Sequence, residues 1–192
     1  DALLNEPKEG HWLFMSDQCK HCRTSPCHEA CPTGAIVRNE FGGIYYQTDI
    51  CMGCGMCVAA CPFGVPEISS ESGHSMKCAE CYDRLRDGLD PACKEACPTG
   101  AIDFGPREYM APLAEERLNY LVKHGHPEAR LYGKDQFPQY DSLNSFYLLM
   151  DKPEVYGLPE SPQTPSHYMA GDYLRGIATL VLCLAAVAAS LI

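Results

Sequence analysis

The chain has 192 residues and carries 15 Lys and Arg against 25 Asp and Glu, a formal net charge of −10. That length suits one or two small domains, and the acidic balance excludes nucleic acid as a partner, because phosphate binding needs a basic face. Thirteen cysteines, about 7% of the chain, fall just below the density of a disulfide scaffold.

From the N-terminus, the chain starts at Asp1 with neither Met nor a charged-then-apolar leader. Residues 1–18 read as a connector into a short apolar stretch, 12–15. The first cysteine run follows: Cys19, Cys22, Cys27, Cys31 and Pro32, spaced C-x2-C-x4-C-x3-C-P. Residues 35–37 and 44–48 are β-rich, and Phe41, Gly42 and Gly43 supply a turn between them. This predicts a strand, a turn and a strand leading back into cysteines.

The second run, Cys51, Cys54, Cys57, Cys61 and Pro62, is C-x2-C-x2-C-x3-C-P. That is the spacing of a bacterial ferredoxin site, in which the fourth Cys ligates the other cluster of a pair. Gly53 and Gly55 suit a chain curling round a cluster, since glycine takes positive φ at no steric cost. The x3 spacing sets Cys57 and Cys61 on one face of a helical turn. Pro62 disfavours helix at Cys61 and ends that turn, freeing Cys61 to serve a neighbour. Pro66 limits any following strand to an edge.

The third run, Cys78, Cys81, Cys93, Cys97 and Pro98, has an eleven-residue gap, YDRLRDGLDPA, that reads as a solvated or partner-facing loop. Residues 29–36 and 95–102 are both EACPTGAI, an internal repeat that points to related modules. Structural zinc also uses C-x-x-C pairs, but three four-Cys runs each ending in Cys-Pro are not zinc-ribbon spacing. Disulfides impose no repeated x2/x3 spacing. Attached c-type haem needs C-x-x-C-H; Arg23, Gly55, Val58 and Tyr82 follow the relevant cysteines, which excludes it. Iron–sulfur clusters fit best. His21 and His28 lie inside the first run, where either could hydrogen-bond a cluster, although the usual exposure of polar residues favours a surface role.

Residues 107–124 have apolar positions at helical spacing, with Pro106 before and Gly125 after as a C-cap. Residues 146–150 (FYLLM) read as a buried strand. Four prolines in 151–168 predict an extended strap. Residues 177–192 are sixteen uncharged residues, about 24 Å of helix. A helix begun at Tyr173 is long enough for a membrane span, with a buried C-terminal helix as the rival reading. Cys183 reads as a small apolar residue within it.

These runs, Lys77 before Cys78, PACKEACPTGAIDFG and the apolar tail resemble the iron–sulfur (beta) subunit of membrane-bound respiratory formate dehydrogenases. The wider family is the electron-transfer subunits of molybdenum or tungsten oxidoreductases, and membrane-bound nickel–iron hydrogenases use a similar subunit. The resemblance implies an α+β, ferredoxin-like fold of two pseudo-symmetric cluster-binding modules plus a C-terminal transmembrane helix. The expected layout is 1–105 cluster modules, 106–150 a helix and strand packed on them, 151–172 the Pro-rich strap and 173–192 a membrane anchor.

The family has four cysteine runs and this chain has three, so the fourth is expected to precede Asp1. Carried over residue by residue, Cys19, Cys22, Cys27 and Cys61 hold one [4Fe-4S] cluster, and Cys51, Cys54, Cys57 and Cys31 a second. Cys78, Cys81 and Cys93 hold a third whose fourth ligand lies outside this segment, and Cys97 reaches towards a fourth cluster. Three or four clusters would then relay electrons from a molybdopterin catalytic subunit to a membrane cytochrome b and quinone. The subunit would do no substrate chemistry, and would sit on the periplasmic side of the inner membrane, held by a single span.

Overall fold

A computed structural model describes residues 12–190, and residues 1–11 and 191–192, parts of the expected connector and anchor, lie outside the described residues. The fold is α+β and ferredoxin-like, built from two-stranded antiparallel sheets and short helices. Helix α1 (Pro26–Glu29) precedes a hairpin of β1 (Ile36–Arg38) and β2 (Ile44–Tyr46), with Ile36 opposite Tyr46. Asn39 closes the turn by accepting the N–H of Phe41 and of Gly43 at 3.1 and 2.7 Å. Ile36 and Ile44 are buried beside Cys27 and Cys57, so the hairpin forms a lid on the cysteine loops.

Helix α2 (Met56–Ala60) starts from Gly55 at φ +74° and stops at Cys61, which is extended at φ −78°, ψ 115°. The ring of Pro62 accounts for that stop, because it excludes helical torsion from the residue before it. Strands β3 (Glu67–Ile68) and β4 (Ser75–Met76) pair as a second short hairpin, with buried Pro66 just ahead of it.

The eleven-residue gap is not an open loop. It folds into helix α3 (Tyr82–Arg86), which buries Leu85, and leads to α4 (Ala92–Glu95). Arg84 ties the two ends, donating to Asp90 O at 2.9 Å and pairing with Glu95 at 2.6 Å. Tyr82 stacks on Tyr45, ring centroids 4.8 Å apart.

Helix α5 (Arg107–Lys123) ends at His124, with Gly125 following at φ +96°, a conformation glycine tolerates best. Its first residue locks it down, Arg107 donating to Leu143 O at 2.8 Å and also to Lys134 O. Strand β5 (Arg130–Tyr132) pairs with β6 (Tyr147–Leu149). Tyr132, Tyr140, Leu143, Leu149 and Leu158 pack into one core that also contains Cys22. The segment after a 3-10 turn at Pro153–Tyr156 lies against this core, and Tyr132 donates its hydroxyl to Pro159 O at 2.6 Å. Tyr132→Phe leaves that carbonyl without its partner, at a net cost of about 1 kcal/mol. The expected result is a thermal midpoint lower by about 2–4 °C, read by circular dichroism, and an unchanged midpoint would show the contact to be idle.

The tail forms helix α6 (Pro165–Ser190). Among the described residues no helix is long and apolar enough to cross a membrane, which overturns the expected transmembrane anchor and, with it, single-pass localisation in the inner membrane. Asp172 and Arg175, paired at 3.5 Å, lie within the helix. The helix is not a buried one either, for Leu174, Ile177, Leu180 and Leu184 are exposed.

Candidate metal centres

All thirteen cysteines are free thiols, so the chain contains no disulfide. The first run curls at His21, which takes φ +43° between Cys19 and Cys22. Cys19, Cys22 and Cys27 are buried. Burial pushes the Cys22 thiol up to about 12, and repulsion from Cys19, Cys27 and Cys61 adds to it. Burial likewise pushes Cys27 up to about 12, reinforced by Cys19 and Cys61. Sulfurs that would repel one another as thiolates, three of them buried, call for a cation to bind their deprotonated form. Cys61 ends the second run and yet lies close enough to act on both Cys22 and Cys27.

The fourth cysteine of the first run also lies beside the other run. Cys31 lines one small pocket with Cys51, Cys54 and Cys57, closed by Ile36, Tyr46 and Ser75. Both placements share one cause. Helices α1 and α2 pack together, each carrying the third cysteine of its run, and the fourth leaves the end of each helix where the other run begins. Gly53 at φ +70° and Gly55 at φ +74° curl the second loop round its pocket.

The sulfurs are supplied with donors. The peptide N–H groups of His21, Ser75 and Glu80 point at Cys19, Cys51 and Cys78 at 3.5, 3.4 and 3.4 Å. Cys57 Sγ and Ser75 Oγ are 3.1 Å apart. The buried Tyr140 hydroxyl faces the Cys22 sulfur, and their hydrogen bond opposes the rise in the Cys22 thiol. Tyr140 lies beside Cys22, and Tyr147 is within electrostatic range of Cys19 and Cys78. Among the described residues no three His, Cys, Asp or Glu converge on a point that holds a single metal ion. Zinc would need its thiolates within about 3.8 Å of one another, given a Zn–S bond of about 2.3 Å. The donor set is all sulfur with peptide N–H groups aimed at it, which suits an iron–sulfur cluster.

Cys78, Cys81 and Cys93 form the third set, in which burial raises Cys93 and its neighbours Cys81 and Cys78 add to the shift. They face a groove of about 1350 Å³, lined also by Phe41, Phe104 and Met110. Cys97 lines neither this groove nor the second pocket; it is held by Thr99 at 3.5 Å, a bond that lowers its pKa to about 7. The repeat folds alike in its two copies. Cys31 N–H donates to His28 O and Cys97 N–H to Lys94 O, each at 3.3 Å, with Gly34 at φ +69° and Gly100 at φ +63°. Only the first copy runs on into a paired strand, and Ala101 in the second is exposed where Ala35 is buried.

Two residues contribute more than their sequence context suggests. His28 is exposed as expected, but His21 is 1% exposed, because residues 142–145 pair with the first loop. Asn144 N donates to His21 O, Ser145 N to Lys20 O and Arg23 N to Ser142 O. Ser75 touches sulfurs of two cysteines, and no spacing rule flags it. The dipeptide Lys77-Cys78 is the only local signal, with Lys77 Nζ donating to Cys78 O at 2.9 Å and to Ile44 O.

Residues 10–107 match the family described as the 4Fe-4S dicluster domain. The chain is 40% identical over 187 residues to a formate dehydrogenase iron–sulfur subunit of Haemophilus influenzae, covering 93% of this chain and 59% of that protein. It is 40% identical over 156 residues to the nitrate-inducible formate dehydrogenase iron–sulfur subunit of Escherichia coli K12, covering 79% and 52%. Against a subunit of the anaerobic dimethyl sulfoxide reductase of the same strain it is 43% identical over 93 residues, covering 48% and 45%. The chain thus spans between half and three fifths of the length of the formate dehydrogenase relatives it matches.

Proposed function

We infer, from the premise that this chain belongs to the 4Fe-4S dicluster domain family, that it is the electron-transfer subunit of a formate dehydrogenase-type molybdenum or tungsten oxidoreductase. When bound, [4Fe-4S] clusters supply one-electron centres whose potentials depend on hydrogen bonds to sulfur, charge and solvent exposure. Cys19, Cys22, Cys27 and Cys61 hold one, and Cys51, Cys54, Cys57 and Cys31 the next. Cys78, Cys81 and Cys93 hold a third that takes its fourth ligand from outside this segment, and Cys97 serves a fourth. Ser75 and the loop N–H groups of His21 and Glu80 donate to sulfur, while Ile36, Ile44 and Tyr46 pack against Cys27, Cys31 and Cys57. The subunit accepts electrons from a molybdopterin catalytic subunit, passes them to a cytochrome b partner, and performs no substrate chemistry.

The convergence of Cys31 with Cys51, Cys54 and Cys57 on one pocket carries this reading. Formate is favoured over dimethyl sulfoxide as the complex's substrate because the formate dehydrogenase match extends over 93% of the chain, against 48%. The test is anaerobic purification followed by metal analysis and dithionite reduction. About four irons and four sulfides per complete set, visible absorbance that bleaches on reduction, and low-temperature EPR signals of reduced clusters are expected. A colourless protein containing zinc would refute the reading.

A further inference from the structure

We propose that His21 is a positioning residue that bridges the first and third cysteine sets, holding the Cys78 sulfur by a ring hydrogen bond and thereby raising the reduction potential of the centre that sulfur serves. The inference rests on the electron-transfer reading above. Its peptide N–H points at Cys19 Sγ at 3.5 Å, and its ring Nε2 lies 3.6 Å from Cys78 Sγ. One residue therefore touches a sulfur in each set. The ring's tautomer is decided by its other nitrogen: Nδ1 accepts the N–H of Ile44 at 2.9 Å, which leaves the single ring proton on Nε2, facing the sulfur.

The surroundings keep the ring there. His21 is 1% exposed and takes φ +43°, an uncommon torsion for a non-glycine residue. Its carbonyl is pinned by Asn144 N, while Ile44, which orients the ring, is itself buried in the hairpin lid. A donor fixed on a ligand sulfur favours the state with more electron density on that sulfur, which is the reduced one. Hydrogen bonds to sulfur are among the levers that set these potentials. The same contact forms a short covalent and hydrogen-bonded link, Cys19 sulfur to peptide to imidazole to Cys78 sulfur, between neighbouring sets.

The test uses the subunit in its complex, loaded with clusters. His21→Asn retains a side chain that tolerates positive φ but is too short to reach Cys78. EPR-monitored redox titration should show one centre made about tenfold harder to reduce, 59 mV for a one-electron couple, with iron content unchanged. His21→Gln, with an amide N–H of longer reach, should recover part of that shift. Independently of any variant, 15N-histidine labelling of the unsubstituted protein should reveal a ring-nitrogen hyperfine coupling to a reduced cluster. Loaded protein that lacks this coupling, or equal potentials in the original and His21→Asn proteins, overturns the role of His21 and leaves the electron-transfer reading intact. An iron-free complex overturns both.

Discussion

Cys31→Ala is expected to empty the second cysteine set and spare the first, even though Cys31 belongs to the first run. Cys31 leaves the end of α1 and lines the pocket of Cys51, Cys54 and Cys57. In that pocket the remaining side-chain polar groups are the hydroxyls of Thr33, Tyr46 and Ser75, and that of Tyr46 is engaged with the Lys77 backbone, so none replaces the lost thiolate. Losing one of four thiolates leaves an iron open to water, so the cluster is lost or degraded. About four fewer irons per chain are expected, with the EPR signal of one cluster missing. Cys61→Ala should give the mirror outcome, emptying the set of Cys19, Cys22 and Cys27, where Cys61 adds to the repulsion felt by Cys22 and Cys27. The paired variants are decisive because a module that closed on its own fourth cysteine would give the opposite pattern. Loss of the Cys19 signal in Cys31→Ala would disprove the crossing.

The second large effect is expected at Gly53. This residue takes φ +70°, and a Cβ built on it would lie 2.1 Å from the carbonyl oxygen of Gly73. The obstacle is backbone, which cannot swing away as a side chain can. Left-handed torsion alone costs a non-glycine residue about 1–2 kcal/mol, and the overlap must be relieved by moving either the 51–54 loop or the 69–74 turn. For Gly53→Ala a total of about 3 kcal/mol corresponds to a fall in the thermal midpoint of roughly 6–12 °C. Iron in the second set should fall with it, because the displaced loop carries Cys51 and Cys54. Gly55→Ala is the control: φ is +74° but nothing lies within 4 Å of the added Cβ, so only the torsional cost of about 1–2 kcal/mol remains. Equal midpoints for the two variants would remove the Gly73 contact from the account.

Local geometry is legible in the residues themselves. The x3 spacing with Cys61-Pro62 announces a helical turn ending in an extended cysteine, and α2 ends that way at Cys61. Gly53 and Gly55 announce a curl, and both carry positive φ. The β-rich stretches either side of Phe41, Gly42 and Gly43 pair as β1 and β2. Each depends on torsional preferences within a few residues, so a short window contains the information.

What lies beyond a short window is less legible. The gap between Cys81 and Cys93 looks like a loop by its charge, yet it contains α3, because Leu85 finds a buried seat and Arg84 closes on Glu95. The apolar run of the tail suggests a membrane span, and the helix forms with Asp172 and Arg175 inside it, but among the described residues no helix is long and apolar enough to cross a membrane.

By itself, the sequence determined the chemistry: three runs of thiolates at cluster spacing, glycines where the backbone must turn back, and a proline after each fourth cysteine. Only the tertiary structure decided which residues surround the sulfurs and how His21 is placed. Cys61 joins Cys22 and Cys27, Cys31 joins Cys51, and the loop of His21 is sealed by residues 142–145, more than a hundred positions away. The physical reason is that spacing acts through backbone torsion, whose influence fades within a few residues. Convergence and burial arise from apolar faces packing across the chain, and His21 therefore owes its place to Leu143, at 0% exposure, as much as to the cysteines beside it.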